Sequence, residues 1–210
     1  MKSVDEARLE SDLQYRYDYL AEFIGFTEDD VRRIHGLAAR LTPRIPAMVD
    51  GTYRQLLSFD ATARHFLPRQ FGFEGQLPDG LAALGQDAEQ IQFRKEHLRR
   101  YLQALVGNPY DARMVKYLNV VGKMHTPQSG NKQIDVPLVQ MNALMGLLSD
   151  TLTETIFDLE LDKNEERSTV RAFQKLMWIQ NDFINRHYQS ASPQPTPSSP
   201  DTPPAASAWR

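Results

Sequence analysis

The chain has 210 residues, 41% of them hydrophobic, a net charge of −3 with both signs interspersed, and no cysteine. That is enough for one well-buried domain with an appendage, and it excludes disulfides, thiolate metal sites, cysteine nucleophiles and thioether-linked cofactors. No apolar run reaches membrane-spanning length, and the mild mixed charge gives no electrostatic case for nucleic acid or anionic lipid. The N-terminus, Met1 to Glu6, is acidic and polar rather than a secretory signal, so the expected compartment is the cytoplasm.

Leu9, Leu13, Tyr17, Leu20 and Ile24 make a helical stripe, which predicts an N-terminal helix over Val4 to Tyr19. Phe26-Thr27-Glu28-Asp29-Asp30 reads as a helix start, with Thr27 as N-cap and Asp30 at the capping-box position in place of the preferred Glu. The helix that follows carries Val31, Ile34, Leu37, Ala38 and Leu41, with His35 on its surface. Thr42-Pro43 predicts a fresh start capped by Thr42, then a stripe of Ile45, Met48, Val49, Tyr53, Leu56 and Leu57. Tyr53 falls on the buried side, so its hydroxyl needs an internal partner. A short helix is expected from Asp60 to Phe66. The remainder of 60–86, rich in glycine, reads as a long flexible loop, functional or partly disordered.

Helix resumes at Asp87 and runs through Ile91, Arg94, Leu98, Tyr101, Leu102 and Leu105 to Gly107-Asn108-Pro109. The next helix starts near Asp111 and buries Met114, Val115, Leu118, Val121 and Gly122. Proline disfavours helical geometry in the residue before it, so Thr126-Pro127 ends this helix and leaves His125 in its last turn. Asp135 is the expected cap of a strongly apolar helix reaching Leu161, with Pro137 in its first turn and Met145 on its stripe. A last helix spans Asn164 to Tyr188. From Ser190 the composition turns to Ser, Pro, Thr, Gln and Ala, which predicts a disordered tail over 190–210, with Trp209 isolated in it. No strand pattern occurs, so the expected architecture is all-α: one domain over 1–189 and the tail.

Gly-rich phosphate loops, paired-histidine zinc motifs and Gly-x-Ser-x-Gly elbows are absent, as is the Glu-x-x-His spacing of di-iron bundles; Glu96 and His97 are merely adjacent. What remains is a histidine beside an apolar pocket. A neutral His125 can give its Nδ1–H to the carbonyl of Val121 and keep Nε2 for iron, and Gly122 leaves room beside the ring for something flat. The plain alternative is a helix-end histidine interacting with the dipole. A haem site needs one such axial imidazole, a dry cavity and distal groups. Tyr53 could offer its phenol to a diatomic ligand from the opposite helix, and Phe66 could wedge the porphyrin edge. Phe93, Arg94, His97, Leu98 and Tyr101 compete for the distal face. Spacing allows either Arg94, Leu98 and Tyr101 or Arg94, His97 and Tyr101, and does not choose.

The order of these pieces resembles a globin with an added N-terminal helix. It is similar in detail to protoglobins and the globin domains of globin-coupled sensors, over roughly residues 8 to 188. The matching stretches are Phe26 to Val31 opening the A helix, Tyr53 to Leu57 on the B helix, Leu102 to Asp111 at the E-to-F junction and Val121 to His125 closing the F helix. The resemblance implies a three-over-three helical sandwich holding one b-type haem non-covalently, with His125 as proximal ligand, Tyr53 as the distal tyrosine and Phe66 near the aromatic residue flanking the haem. Val121, Met124 and Met145 complete the expected cofactor contacts, and His97 is a candidate exchangeable second iron ligand or a propionate neighbour. His65 and His187 are expected at the surface. The implied activity is reversible binding of O2, CO or NO by a single-domain sensor or carrier that dimerises through its G and H helices and answers to an unidentified protein partner or reductase. A haem enzyme (NO dioxygenase or peroxidase-like) and a haem-free regulatory or dimerisation domain are the alternatives.

Overall fold

The computed structural model describes residues 1–129 and 132–189; the tail and Trp209 lie outside them. Among the described residues all regular structure is helical, as the sequence predicts. The N-terminal stripe forms two helices, α1 (Glu6–Ser11) and α2 (Leu13–Ile24). Asp12 breaks them: its backbone is extended, and its carboxylate accepts the N–H groups of Gln14 at 3.0 Å and Tyr15 at 3.1 Å, which caps α2. Gly25 ends α2 in the left-handed region, φ +67°, where a side chain is strained, and Phe26 N–H closes the turn on the Ala21 carbonyl at 2.7 Å.

Helix α3 (Glu28–Gly36) starts as expected. The Asp30 carboxylate reaches back to Thr27 N–H at 2.8 Å and also takes Lys175 Nζ at 2.8 Å, a bond that ties α3 to the last helix. His35 is half-buried rather than superficial; its ring stacks on Tyr110 and bonds the Asn108 carbonyl through Nε2 at 3.0 Å. Thr42 does not cap a new helix. The chain passes from α4 (Ala38–Leu41) through a 3₁₀ turn (Thr42–Arg44) into α5 (Ile45–Leu57) with helical backbone throughout, and the Thr42 hydroxyl donates to the Ala38 carbonyl at 2.7 Å. Pro43 and Pro46 remove N–H donors there and tighten the bend.

The short helix α6 (Asp60–Ala63) continues as 3₁₀ to Phe66. The following loop is held at both ends by polar bonds and contains one 3₁₀ turn, Leu81–Ala83. Helix α7 (Glu89–Gly107) crosses α5, and buried Lys95 clamps the two, with Nζ 3.0 Å from Asp50 and 2.8 Å from Gln86. Helix α8 (Ala112–Lys123) is capped by Asp111 and ends earlier than expected, so His125 lies in the turn beyond it. Helix α9 (Leu138–Phe157) begins at Pro137, with no side-chain cap from Asp135.

Helix α10 (Lys163–Gln189) is the centre of the fold, packing on α9, α8, α3 and α2, and its Phe173, Leu176, Ile179 and Phe183 are fully buried. Arg16 of α2, buried, grips Asp182 of α10 with two bonds, 2.5 and 2.8 Å. Gly122 is where α8 meets α10. An added Cβ would lie 2.9 Å from the Phe183 carbonyl carbon and 3.0 Å from Ile184 Cα, and closer still to the Phe183 oxygen. Its small size therefore serves a helix crossing, and the room expected for a flat group beside the histidine is taken by α10.

Candidate functional site

Between α5, α7, the end of α8 and the start of α9 lies a cavity of about 310 Å³, lined chiefly by apolar side chains, near the lower end of the range for small-molecule pockets. Tyr53, Phe66, Arg94, His97, Leu98, Tyr101, Val121, Met124, His125 and Met145 all line it, so ten of the residues singled out in the sequence converge on one space. Phe93 does not. It packs outward against Phe73 and His97, with ring centroids 5.4 and 4.5 Å apart.

His125 enters from the α8 side. Its Nδ1 lies 2.9 Å from the Val121 carbonyl, which can only accept, so Nδ1 carries the proton and Nε2 the lone pair. Burial, reinforced by the charge of Arg94 and opposed by the Val121 carbonyl, pushes its pKa down to about 4, so the ring is neutral near pH 7. Two backbone-anchored bonds steady the turn that carries it: Val136 N–H donates to the His125 carbonyl at 3.1 Å, and the Tyr188 hydroxyl of α10 donates to the Val136 carbonyl at 2.7 Å.

Tyr53, 3% exposed, comes from α5 and stacks obliquely on Phe66 at 5.6 Å. Burial raises its phenol pKa, against the opposing pull of Arg94, so the hydroxyl keeps its proton as a donor. On α7 the open choice between His97 and Leu98 has a double answer: both line the cavity, Leu98 half-buried and His97 exposed at the rim. Tyr101 is deeper. Among the described residues its hydroxyl and Arg94 Nε are buried with no hydrogen-bond partner, and both belong to the cavity lining. Orphaned polar atoms of this kind cost free energy unless something in the cavity satisfies them.

Sequence reasoning missed several lining residues. His65, expected at the surface, faces the cavity beside Thr62 and Gln140, and burial, with Arg64, lowers its pKa despite Asp135. Gln70 lines it from the loop, a position that helical periodicity cannot flag. His187 is half-buried and bonds Asn119 on α8, 3.0 Å from its Oδ1. Among the described residues no group of three or more His, Cys, Asp or Glu side chains could hold a metal ion, and no helix is long and apolar enough to cross a membrane. One neutral imidazole in an apolar cavity does not hold a bare ion well; it suits a metal that brings its own equatorial ligands. In comparison with known proteins, the family model described as Protoglobin matches residues 13–193. No curated protein matches the chain.

Proposed function

Because the chain belongs to the protoglobin family, we propose that it binds one b-type haem non-covalently in this cavity and reversibly binds a diatomic gas, O2, CO or NO, as a single-domain sensor or carrier. The observation that carries the reading is His125: a neutral imidazole, its Nδ1 engaged by Val121, its Nε2 lone pair left for a ligand, on the wall of an apolar cavity. The Val121 carbonyl, by holding Nδ1–H, fixes the tautomer and raises the basicity of Nε2. Haem would supply an iron with an open position for the gas. The protein's part is to orient His125, to exclude water with Phe66, Leu98, Met124 and Met145, and to offer the protonated Tyr53 phenol as a hydrogen-bond donor. His97 at the rim is better placed to meet a propionate or solvent than iron.

The proposal extends to a homodimer through α9 and α10. Trp178 on α10 is 66% exposed and Val139 on α9 is 73% exposed, and a hollow lined by Asn142, Gly146, Ser149, Gln174 and Asn181 runs beside Trp178. Sedimentation of Trp178→Glu should give a monomer where the parent gives a dimer.

The decisive test is absorption spectroscopy of the purified chain reconstituted with haemin, beside His125→Ala and His97→Ala. Stoichiometric uptake with a Soret band, lost in His125→Ala and kept in His97→Ala, is the expected result. A parent protein that takes up no haem would sink the reading. Nitric oxide consumption in the presence of a reductant then separates gas binding from turnover.

A further inference from the structure

The cavity has one constructed polar corner, and that corner ends in a cation. Gln90, fully buried in the first turn of α7, donates from Nε2 to the carbonyls of Phe66 and, at 3.1 Å, Pro68, while its Oε1 accepts Gln70 N–H at 3.2 Å. Gln70 is itself buried, and its amide nitrogen donates to the Pro68 carbonyl at 3.1 Å and weakly to that of His65 at 3.5 Å. With its donors spent on carbonyls, Gln70 turns Oε1 to Arg94 Nη1 at 2.9 Å. Two buried glutamines thus exist in this fold to aim one guanidinium.

That guanidinium is short of counter-charge. Among the described residues no ion pair includes Arg94, and its buried Nε–H has no acceptor. The Gln70 amide oxygen and the Tyr53 phenol beside it are both neutral and offset none of the charge. The field of Arg94 reaches Tyr53, His97 and His125, so it acts inside the cavity rather than beyond its mouth. A neutral gas needs no cation there. An anion does, because desolvating it in an apolar cavity is costly unless a fixed positive group replaces the lost water.

We propose that Arg94, positioned by Gln70, is the residue of this chain that sets the affinity of the cavity for small anionic ligands, of the fluoride, azide and nitrite class, over neutral gases. The inference rests on the haem reading above and adds to it the residue that discriminates by charge. Tyr53 and Arg94 then divide the work, the phenol donating to any ligand and the guanidinium discriminating by charge.

The test uses the full chain reconstituted with haemin. Fluoride and azide are titrated into the ferric protein at fixed pH and ionic strength, and CO into the ferrous protein, each followed at the Soret band. Haem loss to an apo-globin scavenger is measured in parallel. Arg94→Leu should weaken both anions roughly tenfold to hundredfold, the worth of a charge-assisted hydrogen bond, and CO by a much smaller factor. Gln70→Leu should give a smaller loss in the same direction, and Arg94→Lys should retain part of the anion affinity while supplying a folded variant if Leu is not tolerated. Equal anion affinities in all variants would overturn the assignment, as would a loss of equal size for anions and CO. Faster haem loss without a change in anion affinity would overturn it too, assigning Arg94 to a haem carboxylate. A parent chain with no Soret band would instead bring down the haem reading, and the assignment with it, by an unmistakably different signal.

Discussion

Replacing Gly122 with alanine adds one methyl group where α8 and α10 touch backbone to backbone. Its Cβ would stand 2.9 Å from the Phe183 carbonyl carbon and 3.0 Å from Ile184 Cα, and ordinary contacts begin about half an ångström further out. Neither neighbour is the end of a flexible side chain, so the helices must part. Overpacking of this sort costs about 1–3 kcal/mol. Alanine recovers up to about 1 kcal/mol through helix propensity and the smaller entropy of its unfolded chain. The net expectation is a destabilisation of about 1–2 kcal/mol, which lowers the melting temperature by about 2–8 °C in a domain of this size. Gly51→Ala in α5, where an added Cβ meets nothing within 4 Å, is the matched control and should gain about 0.5–1 kcal/mol. Urea and thermal melts of the two variants beside the parent decide it. A Gly122→Ala protein as stable as its parent, with Gly51→Ala behaving as expected, would refute the backbone-contact account of that crossing.

Asp30→Asn removes the charge that Thr27 N–H and Lys175 hold. Burial works against that carboxylate most strongly, yet the Lys175 and Thr27 bonds win and its pKa is lowered from 3.8. The contribution is therefore complete above the unfolded value of 3.8 and drains away as pH falls through the lower folded value. The stability gap between parent and variant, about 1–3 kcal/mol at neutral pH, should close in acid; a gap that stays constant down to pH 2 or so would refute the pairing. Arg16→Met should cost about 1.5–3 kcal/mol by leaving Asp182 without its two charge-assisted bonds, and a double-mutant cycle with Asp182→Asn should show most of it as coupling. Additive effects would mean that Arg16 acts by packing alone. In the haem-loaded protein, Tyr53→Phe should speed O2 dissociation roughly 2- to 12-fold, the worth of one neutral hydrogen bond, and leave the less polar CO almost untouched. Equal effects on both gases would point to altered packing.

The helices and their buried stripes were legible because apolar spacing is a local property: Ile45, Met48, Val49 and Tyr53 had to share a face, and they do. Ends were less legible where two signals compete. The stripe through Leu9, Leu13 and Tyr17 runs unbroken across Asp12, whose capping chemistry outweighs it. At Thr42 the proline that usually opens a helix instead sits inside a continuous bend. Non-local facts were out of reach. Nothing near Gly122 in sequence announces Phe183, and nothing around His65 tells that α9 will bring Gln140 over it. Gln70 and Gln90 look like two more polar residues of a loop and a helix start; only folding reveals that they hold Arg94. The His125 hydrogen bond was readable for the opposite reason, since its carbonyl partner lies four residues back in the preceding helix, within reach of a spacing rule.

The turn after α8 also couples the cavity histidine to the far end of the central helix. The His125 carbonyl receives Val136 N–H, and the Val136 carbonyl receives the Tyr188 hydroxyl in the last turn of α10. Two hydrogen bonds in series therefore connect the backbone of the cavity histidine to the point where the chain runs out of the central helix. A displacement of the His125 backbone would be felt at the last turn of α10 through two bonds that lie against the core. Tyr188 is the terminal of that wire, and a phenylalanine there would cut it while leaving both of its ends in place.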